Sequence, residues 1–110
     1  MYIYGIYNKW AVILVNENPK EFLWDVGNLD KNRLKHRVES TEAEEVFFDD
    51  EKIILKDRLH SGKEDRYLIL GTTKKSRLLF IVFTVRNDKI RVISARDVSK
   101  KERKLYEEAN

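Results

Sequence analysis

Arginines gather at the ends of apolar runs in the second half of this chain. Arg66 opens "RYLILG", Arg86 closes "LLFIVFTVR", and Arg91 and Arg96 bracket "RVISAR". A guanidinium is planar, stays charged at ordinary pH and can grip a phosphate with two parallel bonds. Cleaving a phosphodiester needs such groups, because negative charge builds on the phosphoryl oxygens in the transition state. It also needs groups that move protons. His60 and Glu64, in "RLHSGKEDR", are the neighbours with that chemistry. RNA carries its own nucleophile, the 2′-hydroxyl, so an enzyme cutting it needs neither a metal nor a protein nucleophile. A plainer reading stands beside this one. Arginine and glutamate at strand ends often form surface ion pairs worth about 0–1 kcal/mol, and Glu64 and Arg66 have the i,i+2 spacing for one.

Strand parity also separates Arg91 from Arg96. Arg91 shares a face with Ile93 and Ala95, whereas Arg96 shares one with Ile90, Val92 and Ser94. They point together only if a bulge intervenes or the strand ends before Arg96.

Other chemistries find little support. With no cysteine there is no disulfide scaffold, thiolate nucleophile or cysteine zinc site. The two histidines, His36 and His60, lack metal-ligand spacing, so neither a metal nor a cofactor is expected. No Gly-rich phosphate loop or G-x-S-x-G elbow occurs. His36 sits where a helix C-terminal cation would. Net charge is +3, unevenly placed. Residues 1–50 hold 6 Lys+Arg against 10 Asp+Glu, and residues 51–110 hold 16 against 9. The basic half can meet phosphates or be an ordinary solvated surface. The longest apolar run, "LLFIVF", falls far short of the roughly 20 residues that span a membrane. The start, "MYIYGIYNKW", lacks the pattern of a secretory signal. The expectation is a cytoplasmic protein.

The chain has 110 residues, the size of one domain. Two aromatic and β-branched runs, Tyr2–Ile6 and Trp10–Val15, predict a strand pair turning near Asn8. A short strand over Glu21–Trp24 leads to Asp25, a helix N-cap. The first helix then covers Val26–His36, with Leu29 and Leu34 near one face. Thr41-x-x-Glu44 reads as a capping box for a second helix to about Phe48, burying Ala43, Val46 and Phe47. Four strands follow over Lys52–Lys56, Arg66–Gly71, Arg77–Val85 and Lys89–Arg96. The last three form an antiparallel meander, joined through "GTTKKS" and "NDK". Ser99-x-x-Glu102 is another capping box, opening a helix to about Glu108 with Leu105 as its main apolar contact and Tyr106 beside it. The order is that of an α+β domain.

From Phe22 to Glu108 these motifs resemble the BrnT-type toxins of bacterial toxin–antitoxin pairs. The resemblance rests on "FLWD", "KNRLKHRV", "EAEEVFFDD", "HSGKEDRYLILG", "LLFIVFTVRNDKIRVISAR" and "ERKLYEE" in that order. It implies a RelE-like fold: a small antiparallel sheet packed with two helices from the N-terminal half and one C-terminal helix. It also implies an endoribonuclease held inactive by a ribbon-helix-helix, BrnA-like antitoxin, the pair repressing its own operon by binding operator DNA. The alternative is a non-catalytic module that binds RNA or antitoxin and acts as a transcriptional co-repressor.

The positions matching the family's polar pattern are Lys35, His36, His60, Glu64, Arg66, Arg86, Arg91 and Arg96. Arg66, Arg91 and Arg96 are then the phosphate-binding groups. Glu64 or His60 is the acid or base, and Lys35, His36 and Arg86 are RNA contacts.

Two features depart from the family. Arg37 stands where a glycine is usual after "KH", so the turn there is expected to differ. Residues 1–20 precede the family's start, leaving 21–110 as the toxin-like domain. Their "YIYGIY" on a sheet edge would invite pairing in a homodimer or hetero-oligomer.

Overall fold

Asp25 closes a two-residue strand, β1 (Phe22–Leu23), and opens helix α1 (Val26–His36) in a computed structural model of the chain. The structure describes Pro19, residues 21–57, Gly62 and residues 64–110. The Asp25 carboxylate accepts from the N–H groups of Gly27 at 2.8 Å and Asn28 at 3.4 Å. Those donors have no partner within the helix. The expected N-terminal strand pair and His60 lie outside the described residues.

Helix α1 buries a polar residue. Asn32 is 2% exposed, while Leu34, expected near an inner face, is 75% exposed. The reason lies in the neighbouring strand edge. The Asn32 Oδ1 accepts the Ala95 N–H at 3.1 Å, and the Asn28 Nδ2 donates to the Val92 carbonyl at 3.4 Å. These two side chains substitute for a further strand. At the helix end Arg37 takes left-handed angles, φ 55 and ψ 37. The turn is therefore not altered by the missing glycine. Arginine adopts the glycine conformation itself, with its N–H on the Arg33 carbonyl and that of Val38 on the Asn32 carbonyl.

Helix α2 (Ser40–Val46) begins two residues earlier than its expected capping box. The Glu42 carboxylate reaches back to the Glu39 N–H at 3.1 Å. Glu44 instead accepts the Trp24 indole N–H at 2.7 Å. Ala43, Val46 and Phe47 are buried, as their spacing predicts. Phe47 meets Phe22 and Phe83 edge-on at 5.3 and 5.1 Å between centroids. Gly71 lets α2 approach the sheet, because a Cβ there would lie 2.8 Å from Val46 Cγ1.

The sheet adds β2 (Ile53–Asp57), β3 (Arg66–Thr72), β4 (Leu78–Arg86) and β5 (Lys89–Asp97), in the order β1-β5-β4-β3-β2. The antiparallel meander is present, but β1 joins β5 in parallel, so the sheet is mixed. Asn87 and Asp88, with φ of 49 and 63, form the β4–β5 turn. Two successive positive φ values suit the twist of a tight hairpin.

One sheet face carries Tyr67, Ile69, Leu79, Ile81 and Phe83 into a core with α2. The other face is half covered by helix α3 (Lys100–Ala109). Its capping box forms as predicted, with Ser99 N–H on Glu102 Oε1 at 2.8 Å and Glu102 N–H on Ser99 Oγ at 3.2 Å. Its anchor is Tyr106 rather than Leu105. Tyr106 is 9% exposed against Ile53, Leu70 and Leu78, and its hydroxyl donates to Asp49 Oδ2 at 2.6 Å. Among the described residues, no helix is long and apolar enough to cross a membrane.

Candidate RNA-facing site

The ladder between β4 and β5 slips once. Val82 pairs with Ser94, but the next residue, Phe83, pairs with Val92. Ile93 is the extra residue of a β-bulge. Its effect shows in burial: Ile90, Val92 and Ala95 are all fully buried in the same core. Arg91 and Arg96 are therefore turned to the opposite, partly open face. The bulge resolves the parity conflict. It does not place the two arginines together, because Arg91 sits across from Thr84 and Arg96 across from Phe80.

Arg96 belongs to the covered end. Its guanidinium lies 4.1 Å from the Phe80 ring centroid and holds both Glu102 oxygens, at 2.8 and 2.9 Å. It also donates to the Asp97 carbonyl at 3.0 Å. The Glu102 bonds raise its pKa further.

Arg77, which the sequence pattern did not single out, organises the same end. It donates to both Asp97 oxygens at 2.7 and 3.0 Å, to Glu42, and to the carbonyls of Arg37 and His36. His36 lies here, near enough to Asp97 to help lower its pKa, after the Arg77 bonds that dominate. Lys35 is exposed on the same last turn of α1. Neither joins the other candidates. No local signal marked Arg77, since its carboxylate partners are 20 and 35 residues distant.

At the opposite end of that face stand Glu64, Arg66, Arg86 and Arg91, with the Arg91 side chain 22% exposed. Arg86 grips Glu64 with two bonds, 2.6 Å from Nε and 3.0 Å from Nη2. That grip holds the Glu64 carboxyl below its usual range, against slight burial, with the charges of Arg91 and Arg66 adding to the effect. Glu64 is thus an anion at neutral pH and a hydrogen-bond acceptor. Arg66 lies across from Asp57. Arg91 makes a long ion pair, 3.9 Å, with Asp25.

Between these groups and α3 runs a groove of about 500 Å³. Leu68, Val82, Ile93 and Ser94 form its floor, and Phe80 lies at the α3 end. Arg66 and Asp57 stand on one wall and Lys31 of α1 on the other. A groove with cations on its rim and aliphatic side chains beneath suits an anion that carries an apolar group.

Residues 24–102 match the family described as ribonuclease toxin, BrnT, of type II toxin–antitoxin systems. This chain belongs to the BrnT family. Membership implies ribonuclease activity, an RNA substrate and an antitoxin partner. The BrnT match takes in Glu64, Arg66, Arg86, Arg91 and Arg96, together with the bulge and the groove floor. It begins after β1 and ends within α3. A search of curated proteins finds no match.

Proposed function

We propose that this protein cleaves RNA by attack of the substrate's own 2′-hydroxyl, without a metal. The 2′-oxygen bonds to the adjacent phosphorus and the bond to the 5′-oxygen breaks. The products are a 2′,3′-cyclic phosphate and a 5′-hydroxyl. Arg66 and Arg91 hold the phosphate and offset the charge that grows on its oxygens. Glu64, ionised and oriented by Arg86, takes the 2′ proton. The leaving 5′-oxygen receives a proton from His60 or from water. Arg86 flanks the site as a contact to the RNA backbone, and Lys35 and His36, at the Arg77 end, meet a more distant stretch of it. Arg96 acts through α3, by holding the helix that bounds the groove. A ribbon-helix-helix antitoxin with acidic residues over the open face keeps the enzyme silent, and the pair binds operator DNA.

One observation carries this reading. The bulge at Ile93 turns Arg91 to the face of Arg66, and Glu64 feels both charges. The test is purified protein against RNA in EDTA, with the new ends mapped. Arg66→Ala and Arg91→Ala should each slow cleavage by roughly 10²–10³. Cutting at the parent rate by both variants would sink the site, and loss of cutting in EDTA would sink the metal-free mechanism.

The lowered pKa that keeps Glu64 ionised also makes it a weak base. That favours one rival, a co-repressor that binds RNA or antitoxin without cutting. Growth arrest on expression with intact cellular RNA would decide for it.

A further inference from the structure

We infer that the groove floor formed by Leu68, Val82 and Ile93 receives a nucleobase of the substrate, next to the arginines that hold its phosphate. The inference rests on the ribonuclease reading and adds a specificity site to it. Helix α3 packs its apolar residues against Ile53, Leu70 and Leu78, in the rows nearer the covered end. The next row, Leu68–Val82–Ser94, runs across the sheet beyond that cluster. The bulge adds Ile93 to it. Aliphatic side chains in an open cavity gain by being covered.

The rim decides what covers them. Lys31 and Arg66 stand on opposite walls, so an occupant without negative charge would desolvate two cations for no return. An occupant that is anionic throughout would meet the Asp57 carboxylate on the Arg66 wall. A nucleotide fits both conditions. Its phosphate lies toward the arginines, its flat base on the aliphatic floor, and its base N–H groups toward polar wall atoms. Enzymes that handle splayed-out bases seat them between apolar side chains in this way. Ser94, at the end of the floor, offers a hydroxyl that can donate to or accept from the base edge.

The test begins with the unaltered protein. Ribonucleoside 3′-monophosphates and ribose 5-phosphate are titrated separately into methyl-labelled protein and followed by NMR. The nucleotides should shift the methyl signals of Leu68, Val82 and Ile93, and ribose 5-phosphate should leave them in place. Equal shifts from both, or none from the nucleotides, would overturn the inference. So would shifts from a short acidic peptide alone, which would assign the groove to a protein partner. A filling variant, Val82→Trp, should raise KM for RNA about tenfold, within the range of one lost base-stacking contact, with kcat retained and the preference in cut sites changed. An unchanged KM and unchanged cut sites would count against it. If the protein cuts no RNA, the ribonuclease reading fails, while the methyl shifts still decide whether the groove takes a base.

Discussion

The two ends of strand β4 carry arginine clusters that use their charge in opposite ways. At its start, Arg77 and Arg96 meet three carboxylates, Glu42, Asp97 and Glu102, in close bonds of 2.7–3.2 Å. At its end, Arg66, Arg86 and Arg91 surround Glu64, which Arg86 grips with two bonds, while Arg91 reaches Asp25 at 3.9 Å and Arg66 lies across from Asp57. The first cluster ties α1, α2 and α3 to the sheet. The second stands at one end of a groove, with Arg66 among its lining residues. The residue type is the same in both. What separates a structural arginine from a substrate-binding one is whether its bonds tie elements together or leave it at the rim of a groove.

The sharpest way to break this comparison is to delete one arginine from each end of β5. Arg91→Ala should slow RNA cleavage by roughly 10²–10³ while the melting temperature stays near that of the parent protein. Arg96→Ala should do the reverse. It loses the Glu102 pair and the Phe80 stack, worth about 1 kcal/mol of stability, and keeps cleavage within several-fold. If Arg96→Ala cuts as poorly as Arg91→Ala, with a native melting temperature, the two ends do not differ as argued.

Arg77→Ala should give the largest stability loss of the matched cluster. It removes bonds to two carboxylates and two carbonyls, three of which lie on α1, its end and α2. With Asp97 well exposed, the expected loss is about 2 kcal/mol in a denaturant titration. A loss below about 0.5 kcal/mol would mean that Arg77 only decorates the surface.

Much of this arrangement was legible where its cause is local. Asp25 and the boundaries of α1 follow from a cap and a period, and the Ser99 box from two residues three apart. The bulge was legible as a condition: Arg91 and Arg96 share a face only if one intervenes or the strand ends early. What stayed hidden depends on distant partners. Asn32 is buried because β5 lacks a neighbour there, 63 residues away in sequence. The Thr41–Glu44 pattern misled because Glu44 has a better partner in the Trp24 indole. The groove was hidden too, since it exists only because α3 stops one row short of covering the sheet.

The anchor of α3 gives a test of the covered half alone. Burial pushes the Tyr106 hydroxyl up to about 12, with the Asp49 acceptor adding to it. Asp49 itself is raised by burial, but bonds from Tyr106, Thr72 and Glu51 together bring it below its usual value. A folded-state pKa above the unfolded value of 10.0 means that the contribution is complete below pH 10 and fades as pH rises toward about 12. Tyr106→Phe should cost about 1.5 kcal/mol at neutral pH and remove that alkaline loss. Cleavage per folded molecule should change little, because Tyr106 lies on the matched side. An alkaline limb equally steep in the variant would place its cause elsewhere.

The smallest expected effect concerns Arg37 and has the opposite sign. A left-handed conformation costs a residue with a Cβ about 1–2 kcal/mol, and glycine avoids that cost while adding freedom to the unfolded chain. Arg37→Gly should therefore stabilise by about 0.5–1 kcal/mol. The backbone bonds that hold the turn, to the carbonyls of Arg33 and Asn32, do not need the side chain. Nor does the bond from Arg77, which is to the Arg37 carbonyl. The double variant Arg37→Gly with Arg77→Ala sharpens the point. If the αL turn is held by Arg77, glycine should recover more stability in the absence of Arg77 than in its presence. Simple additivity would show that the turn is fixed by the helix end alone, and that the bonds from Arg77 to the His36 and Arg37 carbonyls do not hold it.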